Sequence, residues 1–185
     1  MKEVKIFARA GQGAITTASI LGEALFHQNV YAYAFPHFGA ARMGAPMNAF
    51  IRFDTSFVRV RSQIYNPDYI IVVDPTLIKS QNVFSGLKKD SIALIAVRDE
   101  TEVGRAPKGV KVLTLPAEKI AMEVIGRPFS NTVLLGAFAK ATGQVSLDSI
   151  NKAIATRFEG KPEILAKNIE AVKRGYDAVS APVEG

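Results

Sequence analysis

The chain has 185 residues, 48% of them hydrophobic and 22% charged, which fits a single domain over residues 1–185 with a full core and excludes a wholly disordered chain. Cysteine is absent, which excludes disulfides, thiolate nucleophiles and cysteine-held zinc or iron–sulfur centres; two histidines are too few for a metal site without carboxylates. The formal charge is +6, but the basic residues are scattered, with Arg52, Arg59 and Arg61 the tightest group, so nucleic acid is not expected as a partner.

Val4 to Ala8 reads as a first β-strand and Arg9 to Gly13 as a glycine turn. Ala14 to Phe26 follows as a helix with Ile15, Ala18, Leu21, Ala24 and Leu25 along one side. Val30 to Phe35 is a second strand. The stretch Pro36 to Pro46 has two prolines and two glycines and predicts a long loop. Met47 to Phe53 resumes an extended pattern, and Ser56 to Arg61 alternates as its hairpin partner across Asp54-Thr55.

Tyr69 to Val73 is a β-branched run of the buried type, and Ile92 to Val97 and Val110 to Leu115 are further strands. The remainder turns helical. One helix runs from Pro116 through Ile125, and a second begins at Ser130 or Asn131 and ends at Gly143. A third covers Ser146 or Leu147 to about Phe158, and a fourth Pro162 to Ala178. The fold class is therefore α/β, a largely parallel sheet with a β-hairpin excursion and a helical C-terminal third. No stretch reaches the ~20 apolar residues of a membrane span, and residues 1–9 do not read as a signal peptide, so the expected location is cytoplasmic.

The turn Arg9 to Ala14 joins a strand to a helix, where free backbone N–H groups and the helix dipole favour a phosphate and Arg9 adds a full charge. The same glycines also serve a turn that only packs tightly. Thr16 breaks the G-x-G-x-x-G spacing and no Lys-Ser/Thr pair follows, which disfavours an NAD or ATP site. In the 36–46 stretch, Arg42 and His37 are candidate anion contacts, and Phe38 and Met43 candidate apolar ones. His27 closes the first helix. Asp74 ends a buried strand at the edge where α/β sheets bind ligands, or simply forms a turn with Pro75. Asn131 and Thr132 suit a helix cap. No catalytic triad or carboxylate pair is defensible from spacing. The residues alone leave open a subunit of a larger enzyme, a stand-alone binding module for an anionic nucleotide or coenzyme, and, on charge only, a nucleic-acid binder.

Four motifs stand in order along the chain. Ala8-Arg9-Ala10-Gly11-Gln12-Gly13 resembles G-R-G-G-Q-G, and Phe35 through Pro46 resembles F-P-x-F-G-x-E-R-R-G-A-P. Tyr65-Asn66-Pro67-Asp68 and Asp74-Pro75-Thr76-Leu77 resemble Y-x-P-D and D-P-S-L. Pro128, Asn131-Thr132 and Leu135-Gly136-Ala137 match P-x-x-N-T-x-x-L-G-A. These are motifs of the gamma subunits of 2-oxoacid:ferredoxin oxidoreductases, and the resemblance runs from about residue 3 to Tyr176.

The resemblance implies a multi-subunit enzyme that oxidatively cleaves a 2-oxoacid. Thiamine diphosphate sits between alpha and beta subunits, and [4Fe-4S] clusters on partner subunits pass electrons to ferredoxin or another acceptor. Coenzyme A takes the acyl group, and a delta-type subunit completes the complex. The gamma subunit helps bind or position coenzyme A, holds no cofactor alone, has no catalytic residue and shows no activity in isolation. The coenzyme contacts it implies here are Arg9, Gly11, Gln12, Gly13, Phe38, Gly39, Arg42 and Asn131. Two departures bear on this. Ala8 and Ala10 replace family glycines, which predicts a bulkier turn. Ala41-Arg42-Met43 replaces E-R-R, which removes a carboxylate and a cation, leaves the use of coenzyme A open and points towards a less common branch, such as an arylglyoxylate enzyme.

Overall fold

The structure is a computed structural model that describes residues 1–38, 42–98 and 103–179. Strands β1 (Lys2–Arg9), β2 (Tyr31–Phe38), β3 (Pro46–Asp54), β4 (Tyr69–Val72), β5 (Ile92–Ala96) and β6 (Lys111–Leu115) form one sheet in the order β2-β3-β1-β4-β5-β6. β1, β4, β5 and β6 pair in parallel. β3 is antiparallel to both β1 and β2, so β2 runs in the same direction as β1, and β3 alone of the six runs against the rest. The largely parallel sheet expected from sequence is observed.

The helices are α1 (Ala14–Phe26), α2 (Leu77–Gln81), α3 (Ala117–Ile125), α4 (Asn131–Thr142), α5 (Leu147–Arg157) and α6 (Pro162–Ala178). The strand period of two splits the core between the two sheet faces. Val4, Ile6 and Ala8 of β1 join Leu21 and Leu25 of α1 and Phe138 of α4 in the larger core. Phe7, Ile70, Val72 and Ile95 point the other way, into a smaller core closed by Leu77 of α2 and by Val83. β4 is buried throughout, as its uninterrupted apolar run requires. Each large aliphatic side chain so buried contributes about 1.5–3 kcal/mol.

α4 and α6 pack backbone to backbone. A Cβ on Gly136 would lie 1.8 Å from the Val172 carbonyl oxygen, and one on Gly175 would lie 1.9 Å from that of Val133. Beside this contact the buried Thr132 Oγ1 donates to Asn168 Oδ1 at 3.1 Å, and Asn168 Nδ2 donates to the Ile164 carbonyl at 2.8 Å. The Asn-Thr and Leu-Gly-Ala motifs thus hold two helices together.

The expected hairpin is displaced. β3 pairs with β2 on one side and β1 on the other, so 56–61 has no place in the sheet and the antiparallel partners of β3 are β2 and β1. The prolines did not end the strands: Pro36 lies on an edge strand, which loses no central ladder bond, and Pro46 is the first residue of β3. Residues 55–66 form no helix or strand and pass over the hairpin, with Val58 and Ile64 buried. Arg52, 2% exposed, fastens this strap. Its Nε donates to Glu3 Oε1 at 2.8 Å, Nη2 to the Gln63 carbonyl at 3.0 Å, and Nη1 to the carbonyls of Val60 and Ser62. The five-residue α2 follows β4 and was not expected; a single turn carries too little periodicity to be read.

Candidate functional site

The C-terminal ends of β1, β4 and β5 share one edge of the sheet, and the chain turns there at residues 9–13, 74–76 and 97–98. Chain order reverses between β1 and β4, the position where open α/β sheets take ligands. Gly11 and Gly13 adopt φ of 99° and 81°, so the left-handed positions of the first turn are the two that kept glycine. Ala8 and Ala10 do not bulk it out. Ala8 is fully buried as the last core-facing residue of β1, and Ala10 packs against the same core.

A polar net ties this turn to the loop after β4. Gln12 Oε1 accepts from the Arg9 N–H at 2.7 Å, while Gln12 Nε2 donates to Asp74 Oδ2 at 2.8 Å. Arg9 Nε lies 3.3 Å from the same Asp74 oxygen, its Nη2 donates to Thr76 Oγ1 at 2.8 Å, and its Nη1 to the Gly44 carbonyl at 3.1 Å. Asp74 Oδ1 accepts from the Thr76 N–H at 3.0 Å and from Thr76 Oγ1 at 2.6 Å. Burial pushes the Asp74 carboxyl up, but the bonds from Thr76 and Gln12 and the Arg9 charge outweigh it and hold it below its usual range. Gln12 and Arg9 therefore brace three loops against one another.

Above this brace the N-termini of α1 and α4 abut: a Cβ on Gly13 would lie 3.3 Å from Asn131 Nδ2. Neither helix has a side-chain cap or an acidic residue in its first turn. By contrast α3, α5 and α6 carry Glu118, Asp148 and Glu163 there. The N–H groups and positive dipole ends of α1 and α4 are therefore neighbouring and uncapped by side chains of their own first turns. A cavity of about 250 Å³ opens beside them, lined by Gly11, Gln12, Asp74, Arg98, Glu118 and Ser130 among others. It is smaller than a whole drug-sized ligand needs and suits a phosphate or pyrophosphate end. Arg98 and Glu118 form an ion pair in its lining, Nε to Oε2 at 2.9 Å.

Of the expected contacts, Arg9, Gly11, Gln12, Gly13 and Asn131 come together. Arg42 is exposed at the start of the 42–45 turn, and Met43 lies over Gly11, its sulfur 2.6 Å from where a Cβ there would sit. Phe38 ends β2, and Gly39 lies outside the described residues. His37 lies away from the cavity, beside Gln63 Nε2 at 3.0 Å from Nδ1, and His27 caps α1 at its C-terminus. Sequence reasoning placed Thr76 in a motif and Ser130 at a helix start but assigned neither to the site, and it did not single out Arg98. The Asp-Pro-Thr spacing was a signal for Thr76, since Asp closes such turns through the N–H two residues on; nothing local tied the others to the site. Among the described residues, no three His, Cys, Asp or Glu side chains group to hold a metal, and no helix is long and apolar enough to cross a membrane.

The sequence model of the pyruvate ferredoxin/flavodoxin oxidoreductase family matches residues 3–178. The chain is similar to the pyruvate synthase subunit PorC of Methanothermobacter thermautotrophicus, 47% identical over 97% of this chain and 96% of that one. It is also similar to the common gamma subunit of the pyruvate/ketoisovalerate oxidoreductases of Pyrococcus furiosus, 42% identical over 96% of both chains. The crystal structure of pyruvate oxidoreductase subunit PORC from Thermotoga maritima superposes with a TM-score of 0.85, at 35% identity and 97% coverage of both chains. With its sheet, its turn and its helices all matched over nearly the full length, this chain belongs to the pyruvate ferredoxin/flavodoxin oxidoreductase family, among its gamma-type subunits.

Proposed function

We propose that this chain is the part of a cytoplasmic 2-oxoacid oxidoreductase complex that receives the phosphate end of coenzyme A. The observation that carries this is the meeting of two uncapped helix N-termini at Gly13 and Asn131. Thiamine diphosphate and iron–sulfur clusters belong to alpha, beta and delta-type partners, in keeping with the lack of cysteine here, and ferredoxin or another acceptor takes the electrons. A segment making up 30% of one chain of a 2-oxoglutarate:ferredoxin oxidoreductase solved with coenzyme A bound has the same fold, at 19% identity and a TM-score of 0.81. The named gamma-type relatives serve pyruvate or ketoisovalerate enzymes, so pyruvate is the first substrate to test, ahead of an arylglyoxylate.

Arg9, Gln12 and Asp74 fix the 9–13 turn, whose residues 9, 10 and 12 spend their N–H groups within the protein, so that the start of α1 is held beside the cavity. Asn131 keeps the second helix start against Gly13. Arg98 supplies a cation at the rim, with Glu118 restraining it. Asn131→Asp tests the assignment, because an acid at the start of α4 suits the helix but repels a phosphate. In the purified complex this variant is expected to fold normally and to raise KM for coenzyme A roughly tenfold, equivalent to about 1.4 kcal/mol, with KM for pyruvate unchanged. An unchanged KM for coenzyme A overturns the site. Calorimetric binding of coenzyme A by the isolated chain, with no partner recovered alongside it, favours a stand-alone binding module instead.

A further inference from the structure

The sequence of the strap and its structure disagree in an informative way. Ser56-Phe57-Val58-Arg59-Val60-Arg61 has the alternation and β-branched content of a strand, yet it joins no ladder. Among the described residues, none of the backbone N–H groups of 57–65 has a backbone acceptor. Its inward side is held, by Val58 in the core and by Arg52 on the carbonyls of 60, 62 and 63. Its outward side is open, with Phe57 63% and Val60 43% exposed and Arg59 and Arg61 exposed on either side of Val60.

The charges on this strap are equally unmatched. Arg61 stacks over the Tyr33 ring at 3.7 Å, and neither it nor Arg59 has a carboxylate partner among the described residues. Other exposed cations among the described residues, such as Lys89, Lys108 and Arg127, also lack one. What sets Arg59 and Arg61 apart is that they flank the exposed Val60 in a segment with no backbone pairing. Exposed apolar side chains, cations without carboxylates and N–H groups without backbone acceptors in one segment describe half of an interface.

We propose that residues 56–61 complete a β-pairing with an extended, acidic segment of another subunit of the complex, its carboxylates facing Arg59 and Arg61. The proposal rests on the subunit reading above and is independent of the coenzyme site. An extended partner satisfies the backbone groups, and its carboxylates supply the missing counter-charge. Nucleic acid would match the cations but not the N–H groups that lack backbone acceptors.

The test uses the complex purified through a tag on this chain, with a photo-crosslinking residue at Val60 and, separately, the pair Arg59→Glu and Arg61→Glu. The expected result is a crosslink to an acidic, extended peptide of a thiamine- or cluster-bearing subunit, and at least a tenfold loss of recovered partners in the double variant. Lys152→Glu with Lys173→Glu, the same charge change on α5 and α6, retains them. Circular dichroism of the isolated double variant must match the parent chain, and Arg59→Glu alone provides the milder variant if it does not. A crosslink to a second copy of this chain or to nucleic acid overturns the proposal. So does an intact complex with no crosslink, or one that survives the double reversal. Absence of partners from the parent chain itself overturns the subunit reading instead.

Discussion

Two pairs of glycines serve opposite purposes in this molecule. Gly136 and Gly175 have ordinary backbone but no space, since each faces a carbonyl oxygen of the opposing helix. Gly11 and Gly13 have φ near 90° and softer neighbours, the Met43 thioether and the Asn131 amide. The first pair lets two helices touch, and the second lets the chain reverse so that α1 starts against α4 beside a cavity. Motifs that look alike on paper therefore divide into packing and conformation, and only the second kind lies at the site.

The comparison breaks most readily at the helix crossing. Gly136→Ala is expected to cost about 4 kcal/mol or more, because the obstruction is backbone and must move a whole helix. Urea unfolding measures it, and a near-neutral result would mean that α4 and α6 sit farther apart than described. Gly13→Ala is expected to cost about 1–3 kcal/mol, as left-handed strain. Adding Asn131→Ala should return no more than about 0.5 kcal/mol of this, since that change relieves contact and not φ. Full recovery would make Gly13 a packing glycine after all.

The smallest effect concerns the brace beneath the turn. Asp74→Asn removes the charge facing Arg9 and is expected to cost about 1–2 kcal/mol. The folded carboxyl titrates below its ordinary 3.8, so between those values the unfolded chain binds the proton more tightly. Its contribution is complete above about pH 4 and is lost as pH falls through the folded value. Stability against pH should therefore show a shallower acid slope in the variant, and parallel slopes would remove Asp74 from the network.

The bounds of α1 and α6 were legible because apolar spacing, Gly13 and Pro162 all agreed. The hairpin was misread because Asp54-Thr55 offers a nearby turn, while the true pairing is set by Phe35 and Phe50 meeting in register beside Lys5. Proline in an edge strand disguised the rest. At the site, Gln12 and Asp74 were each visible, but their bond spans 62 positions and exists only once β1 and β4 align in parallel. Asn131 meeting Gly13 is farther still from anything local patterning encodes.

The direction of β3 has a consequence for how the chain is made. Because β3 returns between β2 and β1, residues 2–54 contain three paired strands and a helix packed on them before β4 has been synthesised. Three strands with a covering helix are enough for local stability, and nascent chains fold from the N-terminus as segments emerge. The parallel strands then add outward from β1 one at a time, each onto an edge already formed. A ribosome-stalled fragment ending shortly after Asp54 and cleared of the exit tunnel would resist protease over β1 to β3, while one ending within β3 would be digested.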